Sequence, residues 1–296
     1  MHTLPVSHFL HFEQLENDQL GKFFDSCAAD GAECLSLTSP ELERLAAEPL
    51  RIRLLQTESA RTGIRFLNAH APYGDGWDLN CPDPVRRPEL LAGQKRFFEI
   101  CASLGVETVT LHIGTNDSGR PADELRNRAR ESLAELLPAA EARGLVLAIE
   151  NTLFPTDTPD ELLGVLAAFR SPSLGICFDA GHANLMDGTP GKHSDRMVEW
   201  IRRRWRGNVR FETDTLASLL PHIVTCHLHD NHGFDDEHLL AGDGTIDWPA
   251  LFGRLAGAPR LRSLQNEANM AACRIAPRRA VERFRALGRR EARLHA

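Results

Sequence analysis

Short apolar, β-branched runs alternate along the chain with longer stretches of helical periodicity. Strands are predicted over residues 5–10, 33–37, 64–69, 108–112, 146–150, 174–179, 223–229 and 262–267. Helices are predicted over 18–29, 41–59, 89–103, 122–143, 158–169, 248–255 and 277–293. Strands that alternate with helices read as parallel neighbours, because a parallel pair needs a crossover connection. LVLAIE and LGICF are apolar on both faces, as befits strands covered by helices on one side and a packed interior on the other. Punctuation supports the cuts. Arg143-Gly144 ends one helix with a cation and a glycine, and Thr158-Pro-Asp-Glu opens the next with an N-cap, a first-turn proline and acids. No linker, repeat or low-complexity tract divides the chain, so residues 1–296 are expected to form one α/β domain, a (β/α)₈ TIM barrel, with an open doubly wound sheet as the competitor.

The polar residues ending the strands favour the closed barrel. Strand three runs into His70, four into His112, five into Glu150 and six into Asp179; strand seven carries His227 and strand eight ends at Glu267. The intervals of 42, 38, 29, 48 and 40 residues each match about one βα unit. Only a closed barrel gathers six such ends around one small volume, at the face where barrel enzymes carry their active sites. Loops add His182, Asp236 and His238. Alone, each histidine could be a hydrogen-bonded core residue and each carboxylate a helix cap. Four carboxylates in one mouth would repel, and burying them unpaired is costly, so a bound divalent cation is the simplest compensation. Imidazole and carboxylate donors suit zinc, manganese, cobalt or iron(II) better than thiophilic ions.

Composition narrows the partners. A net charge of −7 weighs against a protein whose main task is gripping nucleic-acid phosphates. The N-terminus lacks the cationic head and apolar stretch of a secretion signal, and no run is long enough for a membrane span. Seven scattered cysteines without a Cys-x-x-Cys pair suggest reduced thiols and a cytoplasmic location, with Cys177 and Cys226 packing in strands.

Six segments in order resemble the xylose-isomerase-like superfamily: His70-Ala-Pro-Tyr73, Leu111-His-Ile-Gly114, Ala148-Ile-Glu-Asn151, Cys177-Phe-Asp-Ala-Gly-His182, His227-Leu-His-Asp-Asn231 and the run from Asp236 to Trp248. That superfamily includes sugar isomerases and epimerases related to tagatose epimerase and inosose dehydratase, and the endonuclease IV group. The resemblance implies a metal set of Glu150, Asp179, His227 and Glu267, with Glu150 and Glu267 also catalytic, exchanging protons with a substrate carbon. It gives His182 a substrate hydroxyl and makes Trp77 or another aromatic a wall of the pocket. The endonuclease IV group uses a larger set for three zinc ions, and its remaining positions correspond to His70, His112, His182, Asp236 and His238. This chain departs from that group at Asp243, where those enzymes tend to carry glutamate. His229 and Asp230 are expected to orient His227, and His229 is itself a candidate ligand on the same strand face.

The leading expectation is a sugar or sugar-phosphate isomerase or epimerase. It would use one divalent ion (manganese, zinc, cobalt or magnesium), with room for up to three, on a small polyhydroxylated substrate. The alternatives are a multinuclear zinc phosphodiesterase and a non-catalytic metal-binding barrel. No membrane partner is expected, and a homo-oligomer is allowed. The arginine-rich stretch from Trp200 to Arg206, with Arg210, reads either as an anion grip or as a solvated amphipathic helix whose tryptophans pack on the barrel.

Overall fold

The computed structural model describes residues 4–74, 76–115, 119–188 and 192–294. Eight strands are present: β1 (Val6–His8), β2 (Cys34–Leu37), β3 (Arg65–His70), β4 (Thr108–Leu111), β5 (Val146–Glu150), β6 (Leu174–Asp179), β7 (Ile223–Leu228) and β8 (Ser263–Asn266). They pair in parallel, in sequence order, and β8 returns to β1 with His8 opposite Asn266, so the sheet closes into a barrel. The main apolar core lies between this barrel and the helices around it, where Leu35, Phe66, Val109, Leu147, Ile149 and Ile176 are fully covered.

The barrel interior is less apolar than its strands suggest. Towards β1, β2, β3 and β8 it is a closed polar network. Ser7 donates to Asn68 at 2.7 Å, Asn68 to Ser263 at 2.9 Å, Ser36 to Gln265 at 3.1 Å and Gln265 to Thr225 at 3.1 Å. Buried polar groups are tolerated when they satisfy one another, and here they tie strands far apart in sequence. The β5–β7 side is filled by the small residues Val146, Ala148, Cys177 and Val224.

The expected helix over 41–59 is two helices, Ser39–Ala47 and Pro49–Thr62. Pro49 lacks the amide hydrogen that would continue the first helix, and Glu48 leaves helical geometry ahead of it. The fully buried Arg51 holds this corner, bonding Glu41 at 2.7 Å and the Phe12 and Leu15 carbonyls. The helix end near Gly144 forms as expected, with that glycine at φ +70° and its amide bonded to Glu141. Thr158 precedes the helix Pro159–Leu166 in extended geometry, but its hydroxyl makes no capping bond and is buried without a partner.

Between β6 and β7 the chain adds the helices Ala180–Met186, Asp195–Trp205 and Thr215–Leu219. The middle helix docks through its tryptophans. Trp200 lies 5.4 Å from the Phe154 ring, and the Trp205 indole donates to the Leu153 carbonyl at 3.0 Å. Arg204 stacks on Trp200 at 4.1 Å. A small apolar cluster of Leu153, Leu185, Met186, Met197 and Ile201 forms beneath it.

Candidate metal centre

Each barrel strand from β3 to β8 delivers its polar residue to the same end. His70, Glu150 and Asp179 are the last residues of β3, β5 and β6, while His112 and Glu267 immediately follow β4 and β8. His227 is the penultimate residue of β7, and His229 follows that strand. Among the described residues the arrangement contains five overlapping donor sets, in each of which one ligand atom per residue lies within 4.8 Å of the others. Three adjoining ones span the group: His70, His112 and Glu150; Glu150, Asp179, His227 and Glu267; and His182, His229, Asp236 and His238; the other two, His70, His227 and Glu267, and Glu150, Cys177 and His227, overlap them. All nine residues anticipated from the sequence are therefore brought together.

Glu150 joins the first two sets. Its Oε2 lies 3.1 Å from His112 Nε2 and 3.3 Å from His70 Nε2, while its Oε1 lies 3.2 Å from His227 Nδ1. Glu267 Oε2 approaches the same His227 nitrogen at 3.3 Å. In the third set Asp236 Oδ2 lies 3.4 Å from His182 Nε2 and 3.3 Å from His238 Nε2.

The histidines are oriented from behind. His70, His182 and His238 each place Nδ1 on a backbone carbonyl, of Ala71, Asn151 and Glu267 respectively, at 2.8 to 3.1 Å. A carbonyl only accepts, so Nδ1 carries the proton and Nε2 is left as the inward donor atom. His227 is turned the other way, with Nε2 3.4 Å from the Thr110 hydroxyl and Nδ1 facing the carboxylates.

Charge follows these contacts. Burial would raise the Glu150 carboxyl, but the His227 charge and bonds from His112, His227 and His70 hold it well below the usual range. Asp236 is likewise lowered despite burial, by His182 and His238. Burial opposes protonation of His182 and His238. Nevertheless, the Asp179 and Asp236 carboxylates lift His182 well above its ordinary value, and Asp236 lifts His238 to about 9.

Divalent ions fit this donor set, and the protein alone leaves it incomplete. Glu267 Oε2, Asp236 Oδ1 and His229 Nδ1 are buried acceptors without a hydrogen-bond partner. Such groups cost about 1–3 kcal/mol each unless a donor or cation meets them.

One expectation is corrected. Asp230 does not serve His227: its carboxylate takes the Trp248 indole at 2.7 Å and the amides of Gly242, Asn231 and Ile246, so it organises the loop before the helix Trp248–Leu255. Close approach to Asn231 and Asp230 also explains Gly244, while Gly242 sits at φ +86°. His229, for its part, bonds Asp179 at 3.2 Å. Of the aromatics that could wall the pocket, Trp77 packs on Phe97 at 5.2 Å and over Gly93. Tyr73 takes that place, 4.9 Å from His70 and 4.4 Å from His112 between ring centres. Burial, then the charges of Glu267, Glu150 and Asp236, raise its hydroxyl, so it remains a proton donor. Its spacing three residues after His70 was the available signal. Asp243, the departure from the endonuclease IV pattern, is held by Arg279 and Arg283.

Comparison with known proteins agrees with this fold. A family profile described as xylose isomerase-like TIM barrel matches residues 24–259. An uncharacterized protein of Methanocaldococcus jannaschii is 27% identical over 215 residues, spanning 70% of this chain and 65% of that relative's own length. Among solved structures, a D-tagatose 3-epimerase-like protein superposes with a TM-score of 0.71 at 21% identity, covering 99% of this chain and 100% of the other. A Thermus thermophilus protein soaked with zinc chloride gives 0.64 at 23% identity, covering 97% and 98%. The chain belongs to the xylose isomerase-like TIM barrel family.

Proposed function

We propose that this protein is a divalent-metal-dependent isomerase or epimerase acting on a small polyhydroxylated substrate, a sugar or sugar phosphate, in the cytoplasm. The observation carrying this reading is that the Glu150 and Glu267 carboxylates converge on one nitrogen of His227, at 3.2 and 3.3 Å. Two carboxylates that approach one position can remove a proton beside a carbonyl and return one on the other face. Glu150, Asp179, His227 and Glu267 would hold a divalent ion, which would supply Lewis acidity to a carbonyl and so acidify the neighbouring C–H bond.

The two carboxylates are unequal. Glu150 is buried and engaged by several imidazoles, whereas Glu267 is 17% exposed and keeps Oε2 without a hydrogen-bond partner. Glu267 is therefore the first proton acceptor, and Glu150 the partner on the far side of the reacting carbon. Tyr73 closes the mouth and offers a hydroxyl, and His182 binds a substrate hydroxyl. The epimerase-like solved neighbour supports this substrate class.

The test is proton exchange in deuterated water. Metal-loaded protein is offered a panel of ketohexoses and their phosphates, and deuterium at the carbon beside the carbonyl is followed by NMR. Incorporation should be metal-dependent and fall about 10²- to 10⁴-fold in Glu267→Gln. Full turnover in that variant, with metal retained, would reject the two-carboxylate mechanism.

A second reading is favoured by one feature, the presence of all three adjoining donor sets. A multinuclear phosphodiesterase would use them to clamp the attacking and leaving oxygens. Three tightly held zinc ions together with cleavage of an abasic DNA duplex would establish it in place of the isomerase.

A further inference from the structure

We infer that a cavity at the opposite end of the barrel from the metal-donor residues binds a small carboxylate with an apolar body. Arg260 holds the charge, and Leu163, Leu166 and Phe169 receive the body. The site is separate from the barrel mouth and stands whether or not the isomerase reading does.

Position is the first argument. The cavity has a volume of about 340 Å³ and lies where strands begin: Leu174 opens β6, His222 immediately precedes β7, and Arg260 stands three residues before β8. The donor residues Asp179 and Glu267 belong to the other ends of β6 and β8. A six-residue parallel strand is about 20 Å long, so a ligand here is out of reach of the reacting centre. Gly175 lets the walls close up, because a Cβ there would come within 2.9 Å of the His222 carbonyl oxygen.

The walls divide by chemistry. One is the end of the helix Pro159–Leu166, where Leu163, Leu166 and the following Phe169 contribute apolar side chains. The carbonyls of that last turn are already met. Those of Leu163, Val165 and Leu166 take the amides of Ala167, Ala168 and Phe169, and that of Gly164 takes Arg130. The helix end therefore sets no open carbonyl against an anion.

The other wall is cationic. Arg260 is anchored through Nη2, which donates to the Pro172 and Leu174 carbonyls at 2.8 and 2.9 Å. That fixes the guanidinium and leaves donors on Nε and Nη1 for a ligand. Among the described residues, neither Arg260 nor its neighbour Arg262 forms an ion pair, and nothing bonds the His222 ring. Glu141, at the same rim, accepts from the Ser171 hydroxyl instead. In a chain with 41 acidic residues against 34 lysines and arginines, two adjacent arginines without a carboxylate leave a charge unanswered. Burial and the Arg262 charge both lower Arg260, as follows when a cation lacks its counter-ion.

Size and charge together name the ligand class. Small-molecule sites start at about 300 Å³ and combine apolar walls with a few placed polar groups. A fixed guanidinium matches a carboxylate. A polyol would turn its hydroxyls towards Leu163, Leu166 and Phe169 without partners, which is costly.

The test titrates full-length protein with octanoate by calorimetry, with octanamide as the uncharged control of the same body. Arg260→Met keeps an apolar stem and removes the charge. Ala167→Trp fills the cavity from an exposed position on its wall. One octanoate should bind per chain, and both variants should weaken it about tenfold or more, as should replacing octanoate by octanamide. Absence of octanoate binding to the wild type, equal affinity for octanamide, or undiminished binding in Ala167→Trp would each overturn the inference. The last result would also place the carboxylate elsewhere, at the barrel mouth included. Should Arg260→Met fold poorly, Ala167→Trp and the octanamide comparison decide, since neither disturbs the Arg260 anchor.

Discussion

Glu150 Oε2 lies 3.1 Å from His112 Nε2, although the other oxygen of the same carboxylate faces His227. One side chain thus belongs to two of the three adjoining candidate donor sets. Glu150→Gln should weaken binding at both, whereas Glu267→Gln should weaken only one. Zinc titration with a chromophoric chelator measures this directly; equal losses in the two variants would show that Glu150 does not bridge.

Proton linkage gives a second expectation. In the metal-free protein, and against the cost of burial, Asp236 and Glu267 raise the His238 pKa to about 9, and His182 also stands well above the ordinary value. A raised histidine stabilises the fold fully below its unfolded value of about 6.5, and the gain is lost as pH rises through about 9. Calorimetry of metal-free protein should therefore show a lower Tm at pH 9 than at pH 6. Zinc needs neutral imidazoles, so its affinity should rise over the same window and binding at pH 7 should release protons. A Tm that is flat or rising with pH would contradict the assignment.

Much of this centre was legible because a barrel converts sequence order into angular order. Residues one βα unit apart become neighbours around a ring, so His70, His112, Glu150, Asp179, His227 and Glu267 could be gathered without coordinates. What happens behind the ring was not legible. His229 and Asp230 follow His227 closely in sequence, but the partners that claim them, Asp179 and Trp248, come from other parts of the chain. The same holds for Trp77, whose neighbour Phe97 belongs to a separate helix further along the chain. Pro49 was readable as a break in the helix pattern, and its local effect on backbone geometry is the whole reason that one expected helix became two.

The corner held by Arg51 predicts a stability effect away from the site. Arg51 and Glu41 are both fully buried and 2.7 Å apart. Replacing Arg51 by Met leaves a buried carboxylate without its cation, which costs about 3–5 kcal/mol. Urea unfolding of Arg51→Met should show that loss, and Glu41→Gln with Arg51→Met together should recover part of it. Additive losses in the double variant would mean that the pair is not coupled.

Asp157 offers the opposite sign. Burial drives its carboxyl up to about 8, only partly offset by the Thr152 bond and the His112 charge. Its Oδ1 has no partner, and it lines a cavity of about 10 Å³ beside Thr158 and His182. An acid raised from its unfolded value of about 3.9 destabilises the fold progressively as pH rises from there to about 8, and the loss levels off above that. Asp157→Asn should therefore raise Tm, more at pH 8 than at pH 5. A variant less stable than wild type at pH 8 would show that the ionised form is needed.

The docked helix Asp195–Trp205 has a consequence for how such barrels diversify. The excursion that carries it leaves and rejoins the barrel at one place, where Asp187 pairs with Glu212 and the Gly188 amide bonds the Glu212 carbonyl at 2.9 Å. Its buried contacts lie in a small cluster that Met197 and Ile201 share with Leu153 after β5 and with Leu185 and Met186 of the preceding helix, apart from the barrel core. Chain ends already held together can be joined by almost any length of polypeptide at little entropic cost. The rim of the mouth beside Phe154 can therefore be rewritten, shortened or exchanged between related barrels as a cassette, while the strands that carry the donor sets keep their register.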